Sequence, residues 1–330
     1  MIEYNTDLQI LKDVSSTGKE RPWKERKMES LLIADSLGRI GLDGQAFRMR
    51  NCANYLKFEE AVDSSTGEIL GKRLAYASFC RGRFCPMCCW RKSRLMWFQM
   101  SDALDWIQNK YPHLVPIFLT LTVRNVSADE LASTIEKMLR VGFKNMIDHR
   151  KIRRIMVGWF RALEVTYSRK RNNFHPHLHC IILVDESYFK GTDYMHTTDW
   201  VQMWRMCMKL DYDPICDVRK LKNENSAERG KSVAEAAKYT VKPGEWITKD
   251  KDLTDRVVLA LHNSLAGRRV VGYGGVIREA RKILKQEDIE TADLVQGGEE
   301  KSNLWLRSDI KKVVSQYNWQ MGVTNYIKKS

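Results

Sequence analysis

Residues 175–184 read HPHLHCIILV, a cluster of three histidines followed by a nearly unbroken apolar run. Short apolar, β-branched runs predict a buried strand. Because side chains alternate between the two faces of a strand, His177 and His179 point to one face and Leu178 to the other. Two imidazoles at adjacent positions on one face can share a divalent cation. A single histidine here would be interpreted as a surface residue, whereas the cluster predicts a metal site.

The preceding stretch offers a third ligand for this cation. Residues 152–168, IRRIMVGWFRALEVTYS, are also strand-like, and the polar turn RKRNNF joins them to the histidine strand. We expect an antiparallel hairpin with a connection of about seven residues, which would bring Glu164 beside the histidines. The alternative is a solvent-facing or ion-paired glutamate. Two histidines with one glutamate suit Mg²⁺, Mn²⁺ or Zn²⁺, and phosphate chemistry favours Mg²⁺ or Mn²⁺.

The elements around this hairpin predict the fold class. Residues 115–126 read as a strand, and Ser127 with Glu130 forms a capping box for a following helix. The apolar face of that helix is predicted at Leu131, Ile135, Met138, Leu139 and Met146. After the hairpin we expect a helix at 199–210, a strand at 216–221 and a helix at 226–241. This order predicts an α+β fold with helices packed on a largely antiparallel sheet.

A second metal site is predicted near the N-terminus. The segment FCRGRFCPMCCW, residues 79–90, holds four of the eight cysteines, too uneven a distribution for a secreted disulfide scaffold. The spacing of Cys80, Cys85 and Cys88 is typical of zinc ligands. The fourth ligand is either the adjacent Cys89 or the more distant Cys52. We predict a structural zinc ion held by Cys52, Cys80, Cys85 and Cys88. The alternative is a group of reduced, buried thiols.

The charge of the chain favours a polyanionic partner. Lys and Arg number 55 against 41 Asp and Glu, a net charge of +14, so nucleic acid comes first and an anionic membrane second. The sequence has no stretch apolar enough for a membrane span and no signal-peptide pattern at residue 1, so we expect a cytoplasmic protein. DNA contacts are predicted at Arg81, Arg83, Arg91, Lys92, Arg94 and His175. A second basic candidate comprises Lys19, Arg21, Lys24 and Arg26.

Composition divides the chain into three predicted regions. Residues 1–110 form a basic, cysteine-rich zinc region, and residues 111–250 form the domain with the histidine strand. Residues 251–330 are expected to be a helical accessory region. We find no internal repeat.

A nucleophile is available in the segment AEAAKYTVKP, residues 234–243. If this segment is helical, Glu235, Tyr239 and Lys242 share one face. A phenol beside a basic group and opposite a metal-bound phosphate is suited to covalent attack on phosphorus. By itself such a face is usually only a solvated surface. Tyr273 in GYGGV is the rival nucleophile, although its flanking glycines indicate a turn.

Three of these motifs together resemble a known family. In order and spacing, FLTLTVRN, HPHLH and EAAKYTVK are similar to the motifs of plasmid rolling-circle replication initiators, members of the HUH endonuclease superfamily named for its His-hydrophobic-His motif. The closest likeness is to Rep proteins with a single catalytic tyrosine. It extends over most of the chain, including RPWKERK, the cysteine cluster and YGG.

The resemblance implies a function for each site residue. His177 and His179 would hold the metal with Glu164 as third ligand, and Tyr239 would attack a phosphodiester at the double-strand origin. The products would be a 5′-phosphotyrosine link and a free 3′-OH for polymerase. Glu235 would activate water or position a second nucleophile at termination, and we add Lys242 as a phosphate or leaving-group stabiliser. Host helicase, single-strand-binding protein and DNA polymerase would be partners, with a homodimer as an open alternative.

Other functions remain open at this stage. A metal-dependent hydrolase of a small substrate also uses a His-x-His strand, but the charge of +14 argues against it. A transposase or relaxase of the same superfamily is the nearest enzymatic rival, although relaxases typically carry the tyrosine before the histidines. A zinc-containing DNA-binding regulator without catalysis is the third alternative.

Overall fold

The computed structural model describes residues 9–15, 18–221, 233–235, 237, 240–241, 247–295 and 303–329. The chain forms two compact units. The first unit comprises Met1–Leu95 and Ala292–Ser330, and the second comprises Met96–Thr291. The predicted regions 1–110, 111–250 and 251–330 do not coincide with these units, because the C-terminal residues join the first unit.

The helices and strands are bounded as follows. The helices are α1 Trp23–Arg39, α2 Asp43–Arg50, α3 Pro86–Lys110, α4 Ala128–Glu136, α5 Phe143–Asp148, α6 Arg150–Ile155, α7 Thr197–Met208, α8 Lys251–Leu265 and α9 Val276–Ile283. The strands are β1 Tyr55–Asp63, β2 Ile69–Ala77, β3 Leu114–Thr122, β4 Met156–Ser168, β5 Asn173–Asp185, β6 Cys216–Lys220, β7 Thr240–Val241, β8 Val271–Gly275, β9 Ile310–Gln320 and β10 Asn325–Lys328. A π-helical segment, Lys137–Gly142, joins α4 to α5.

The first unit contains a four-stranded antiparallel sheet in the order β10-β9-β1-β2. Strand β9 pairs with β1 from Tyr55 opposite Asn318 to Asp63 opposite Ile310. Aromatic side chains fill the core beneath α1, where Trp23 makes an edge-to-face contact with Phe58 at 5.8 Å between ring centroids. The C-terminal helical region is therefore not confirmed, because the strands β9 and β10 follow α8 and α9.

The second unit contains a six-stranded sheet in the order β6-β3-β5-β4-β7, and β8 also pairs with β4. Strand β7 runs parallel to β4, whereas the other pairings are antiparallel. The predicted α+β class with a largely antiparallel sheet is confirmed. The hairpin β4–β5 is also confirmed, but its connection is residues 169–172, because β5 begins at Asn173 rather than at His175 as expected.

Helices cover one face of this second sheet. The capping box of Ser127 and Glu130 begins α4 as predicted, and the five apolar positions expected along this helical stretch are all buried. Trp204 on α7 donates from Nε1 to the carbonyl of Thr122 at 2.8 Å. Phe143 meets Trp159 at 5.0 Å between ring centroids. This face holds the core, which leaves the opposite face of β3, β4 and β5 for the histidines.

Within the part of the chain that the structure describes, no helix is both long and apolar enough to traverse a bilayer.

Candidate metal centres and active site

The histidine site is built from three adjacent strands of the second sheet. Glu164 on β4 lies directly opposite His177 on β5, as the hairpin prediction required, and His179 lies opposite Ala162. On the other side of β5, Thr120 of β3 is the cross-strand neighbour of His179. Directly opposed residues share a sheet face, so the carboxylate and both imidazoles project to the same side.

These three side chains converge on one point. Oε2 of Glu164 lies 3.0 Å from Nε2 of His177 and 2.9 Å from Nε2 of His179. All three are buried, with exposed fractions of 2%, 8% and 4% for Glu164, His177 and His179. Their potential ligand atoms lie within 4.8 Å of one another, so this group could hold a metal ion.

The partners of the Nδ1 atoms of both histidines support metal binding at this site. Nδ1 of His177 donates to the carbonyl oxygen of His175 at 3.2 Å, and Nδ1 of His179 lies 3.3 Å from the hydroxyl of Thr120. A ring held through Nδ1 presents Nε2 to a metal. Burial lowers the pKa of His179, although the negative charges of Glu164 and Glu235 oppose this shift. A lowered pKa favours the neutral imidazole that metal binding requires.

His175 lies on the same face but outside this group. Its ring centroid is 5.3 Å from that of His177. Its Nδ1 is 2.8 Å from Oδ1 of Asn125, and Asn125 in turn donates to Asn173 at 2.8 Å. Burial, followed by the nearby charge of His177, lowers the pKa of His175. Asn125 belongs to the FLTLTVRN motif, so this hydrogen bond links that motif to the histidine strand.

Glu235 is connected to the site through a neighbouring arginine. Its Oε2 lies 3.5 Å from Nη2 of Arg219, and both side chains are partly exposed. The Arg219 guanidinium lies 4.9 Å from the centroid of the Phe118 ring. Phe118 stacks on His179 with 5.6 Å between ring centroids. Sequence reasoning missed Arg219, because nothing in the local pattern of β6 distinguishes it from other exposed arginines.

The predicted nucleophile lies outside the described residues, as does Lys242. The described neighbours of Tyr239 are Thr240 and Val241, which form strand β7 rather than the end of a helix. The helix expected over residues 226–241 therefore does not reach Thr240. The common face predicted for Glu235, Tyr239 and Lys242 includes residues outside the described part of the chain. Thr240 pairs with Glu164 in a parallel register.

Tyr273, the rival nucleophile, lies in strand β8 and not in a turn. Its backbone is paired with Phe160, which is four residues from Glu164 and hence about 13 Å away along β4. The hydroxyl group donates to Asp288 at 3.5 Å, and the Arg281 guanidinium lies 4.2 Å from the ring centroid. This tyrosine is thus held by its own polar contacts, away from the histidines.

The second predicted group of ligands also comes together, in the first unit. The Sγ atoms of Cys52 and Cys88 are 3.6 Å apart, and those of the pairs Cys80–Cys88 and Cys52–Cys85 are 3.7 Å apart. These separations are too long for a disulfide. They match the spacing of about 3.8 Å that a tetrahedral zinc ion imposes with Zn–S distances of about 2.3 Å. Cys89 is excluded from this group and donates instead to the carbonyl of Arg83 at 3.2 Å.

The cysteines of this centre share their protons unequally, and a lysine lies beside them. Burial opposes ionisation of Cys85, but hydrogen bonds with Cys52, Cys80 and Cys88 outweigh it and lower the pKa of Cys85 well below the usual thiol value. Hydrogen bonds with Cys80 and Cys85 raise the pKa of Cys52, and burial raises that of Cys88. Lys27 is fully buried and donates from Nζ to the carbonyls of Arg50 and Cys52, each at 2.7 Å. Burial lowers the pKa of Lys27 to about 8, with the cysteines opposing that shift.

The predicted DNA contacts fall into two groups. Arg81 is exposed, and Arg83 and Arg94 are half-buried. Arg91 and Lys92 are each only 1% exposed, which does not fit the prediction that they contact DNA. Arg91 donates to the carbonyls of Leu294 and Val295 at 2.8 and 2.7 Å, so its guanidinium holds the first unit together. Of the second basic group, Lys19 and Lys24 are exposed, whereas Arg21 and Arg26 form ion pairs.

Comparison with known proteins gives the class of this chain, a replication protein. A family model described as "Replication protein" (Rep_1) matches residues 71–327. The "Protein rep" of Bacillus amyloliquefaciens is 34% identical over the full length of both chains. The "Protein rep" of Streptococcus pneumoniae is 33% identical over 100% of this chain and 99% of its own length. No solved structure matches the chain.

The chain therefore belongs to the Rep_1 family of replication proteins, and these relatives make it a plasmid Rep-type replication initiator.

Proposed function

We propose that this protein initiates rolling-circle replication by nicking one strand of the plasmid origin, with Tyr239 as the nucleophile. The observation that carries the proposal is the convergence of Glu164, His177 and His179 on one buried point. The backbone of Thr240 pairs with Glu164, and Tyr239 is the preceding residue in the sequence. This neighbourhood supports the assignment of Tyr239 over Tyr273, whose strand pairs further along β4.

The three ligands would hold Mg²⁺ or Mn²⁺, since a mixed nitrogen and oxygen set suits these ions for phosphate chemistry. Such a cation would act as a Lewis acid on a phosphate oxygen. Tyr239 loses its phenolic proton, and its oxygen forms a bond to phosphorus. The bond from phosphorus to the 3′ oxygen breaks, and that oxygen takes up a proton. The 5′ phosphate stays on Tyr239, a free 3′-OH remains as primer, and Lys242 stabilises the phosphate.

Glu235 is proposed to act at termination. A carboxylate near the metal ligands can accept a proton from water or from a second nucleophile. The charge of Glu235 reaches His179, and its carboxylate lies 3.5 Å from Arg219.

The four cysteines are proposed to bind a structural zinc ion, since their mutual spacing leaves no open position for a substrate. Arg81, Arg83, Arg94 and His175 are proposed DNA contacts. The protein would work in the cytoplasm with a host helicase, single-strand-binding protein and polymerase.

Nicking of supercoiled plasmid carrying the cognate origin tests the catalytic proposal. With Mg²⁺ or Mn²⁺ present, the wild-type protein should convert supercoiled DNA to the open circle, and the His177→Ala, His179→Ala double variant should not. Tight origin binding by the wild type without any cleavage would contradict the proposal and leave a DNA-binding regulator.

A further inference from the structure

Helix α2 exposes a face that neither metal centre uses. Its buried residues are Ala46 and Met49, which pack toward α1 and the cysteine centre. The opposite face is formed by Gly44, Phe47, Arg48 and Asn51, all exposed. These positions follow the i, i+3, i+4, i+7 spacing of a single helical stripe. Phe47 is 68% exposed, the most of any aromatic side chain in the described ranges.

This helix is rigidly connected to the cysteine centre. Its last residue, Arg50, offers its carbonyl to the buried Lys27, which also holds the carbonyl of Cys52. Met49 lies against the loop between Cys80 and Cys85, where a Cβ on Gly82 would be 3.5 Å from Met49 Cε. The four-cysteine group thus fixes the end of α2 as well as the loop that carries Arg81.

Exposed charges of both signs lie on α2. Arg48 follows Phe47 on the exposed stripe and Arg50 ends the helix, whereas Asp43 lies in the first turn, four residues before Phe47. Arg39, the last residue of α1, and Arg81 are also exposed. Arg50 is paired with Asp35 at 2.8 Å, which leaves Arg48 as the arginine on the exposed stripe itself. An exposed apolar ring next to an exposed arginine is suited to DNA, because arginine binds phosphates and an apolar side chain can contact a thymine methyl.

We propose that α2 is a duplex-reading element of this protein, which enters the major groove of the origin. Phe47 contacts base edges, Gly44 permits close approach of the helix, and Arg48 and Arg81 bind phosphates. The major groove is wide enough for an α-helix. The inference rests on the proposed function, because that function supplies double-stranded origin DNA as the ligand.

Binding of a fluorescent origin duplex, followed by anisotropy, tests this assignment. Phe47→Ala should weaken binding at least about tenfold without changing its salt dependence. Arg48→Ala should also weaken binding and should lower the slope of log K against log salt by about 0.9, the value for one phosphate contact.

Matched controls come from β9 of the same unit. Val314 and Lys311 are an exposed apolar and an exposed basic residue, and Lys311 pairs with Val62 at the opposite end of β1 from Cys52. Val314→Ala and Lys311→Ala should bind the duplex as the wild type does. Zinc content and circular dichroism should show that all four variants are folded.

Cleavage of a single-stranded origin oligonucleotide by the wild type separates the two proposals. If the wild type does not cleave, the nicking function fails whatever α2 does. If the wild type cleaves and binds the duplex, but Phe47→Ala and Arg48→Ala bind equally well, the assignment of α2 is overturned. A shift of Phe47→Ala to a smaller oligomer with unchanged DNA affinity would also overturn it, in favour of an interface between copies.

Discussion

At the residue scale, the proposed metal site depends on Glu164 sharing a face with the two histidines. The carboxylate is buried, and its Oε2 lies 3.0 Å from Nε2 of His177 and 2.9 Å from Nε2 of His179. Buried carboxylates need polar partners, because an unpaired buried charge is costly. The same geometry brings three ligand atoms close enough for one ion.

Removal of a single ligand should therefore weaken metal binding. We expect Glu164→Gln to lower Mn²⁺ affinity by about 10- to 100-fold, since it replaces an anionic ligand by a neutral one. Nicking at a fixed Mn²⁺ concentration should fall in parallel and recover at higher Mn²⁺. Isothermal titration calorimetry and the plasmid nicking assay measure the two effects.

His113 supplies the control for this experiment. It is a half-exposed histidine of the same unit, with Nε2 3.8 Å from Asp185. His113→Ala should leave Mn²⁺ affinity within the error of the measurement. If Glu164→Gln and His113→Ala behave alike, the carboxylate is not a ligand.

The site could be predicted from the sequence to the extent that it depends on strand periodicity. Alternation placed His177 and His179 on one face, and a simple hairpin register placed Glu164 opposite them. The prediction that Arg91 and Lys92 contact DNA assumed that a basic segment is exposed to solvent. Tertiary contacts instead bury this part of α3. Lys27 was missed because two of its three acceptors are backbone carbonyls, which leave no sequence signal; the third is the side-chain oxygen of Asn54.

At the element scale, strand β8 lies unusually close to β4. Gly275 has φ of +57°, and a Cβ there would come 2.1 Å from the carbonyl oxygen of Val157. Gly158, directly opposite, would place a Cβ 2.8 Å from Val276. Because neither glycine has a Cβ, β8 can pair closely with β4.

Gly275→Ala should destabilise the protein by about 3 kcal/mol or more, because backbone strain and a backbone clash add. Gly267→Ala is the matched control, since Gly267 has φ of +66° but a Cβ there would meet no atom within 4 Å. Gly267→Ala should lower the free energy of unfolding by only about 1 kcal/mol. Urea denaturation measures both, and equal effects would refute the close contact.

Long-range pairing explains why some elements could not be predicted. Strand β9 pairs with β1 across most of the chain, and no local pattern encodes a partner at that separation. Thr240 and Val241 follow AEAAKY, most of whose residues favour helix, but pairing with β4 outweighs that propensity. In contrast, the pairing of β4 with β5 could be predicted, because these strands are consecutive in the sequence and a short turn joins them.

At the scale of the whole molecule, two units carry two distinct metal-binding groups. The four cysteines tie α2, the loop after β2 and the start of α3 within the first unit. Metal bound to such a group contributes directly to the free energy of folding. The Glu164 group lies in the second unit and has ligands of a different type.

We expect one zinc ion per chain, lost in Cys52→Ser and retained in Cys89→Ser. These two cysteines competed for the fourth position, and only Cys52 lies with the others. Loss of zinc should lower the melting temperature by on the order of 10 °C, since the first unit would lose its metal-linked stabilisation. Elemental analysis and thermal denaturation provide the measurements. Zinc retained by Cys52→Ser and lost by Cys89→Ser would reverse the assignment.

The most direct test of the nicking mechanism is the identity of the covalent adduct. A single-stranded origin oligonucleotide labelled at its 3′ end should transfer its label to the wild-type protein in the presence of Mn²⁺. Mass spectrometry should locate the linked nucleotide on Tyr239. The adduct should be absent from Tyr239→Phe and present in Tyr273→Phe. Labelled adduct in Tyr239→Phe, or a linkage at any residue other than Tyr239, would contradict the mechanism.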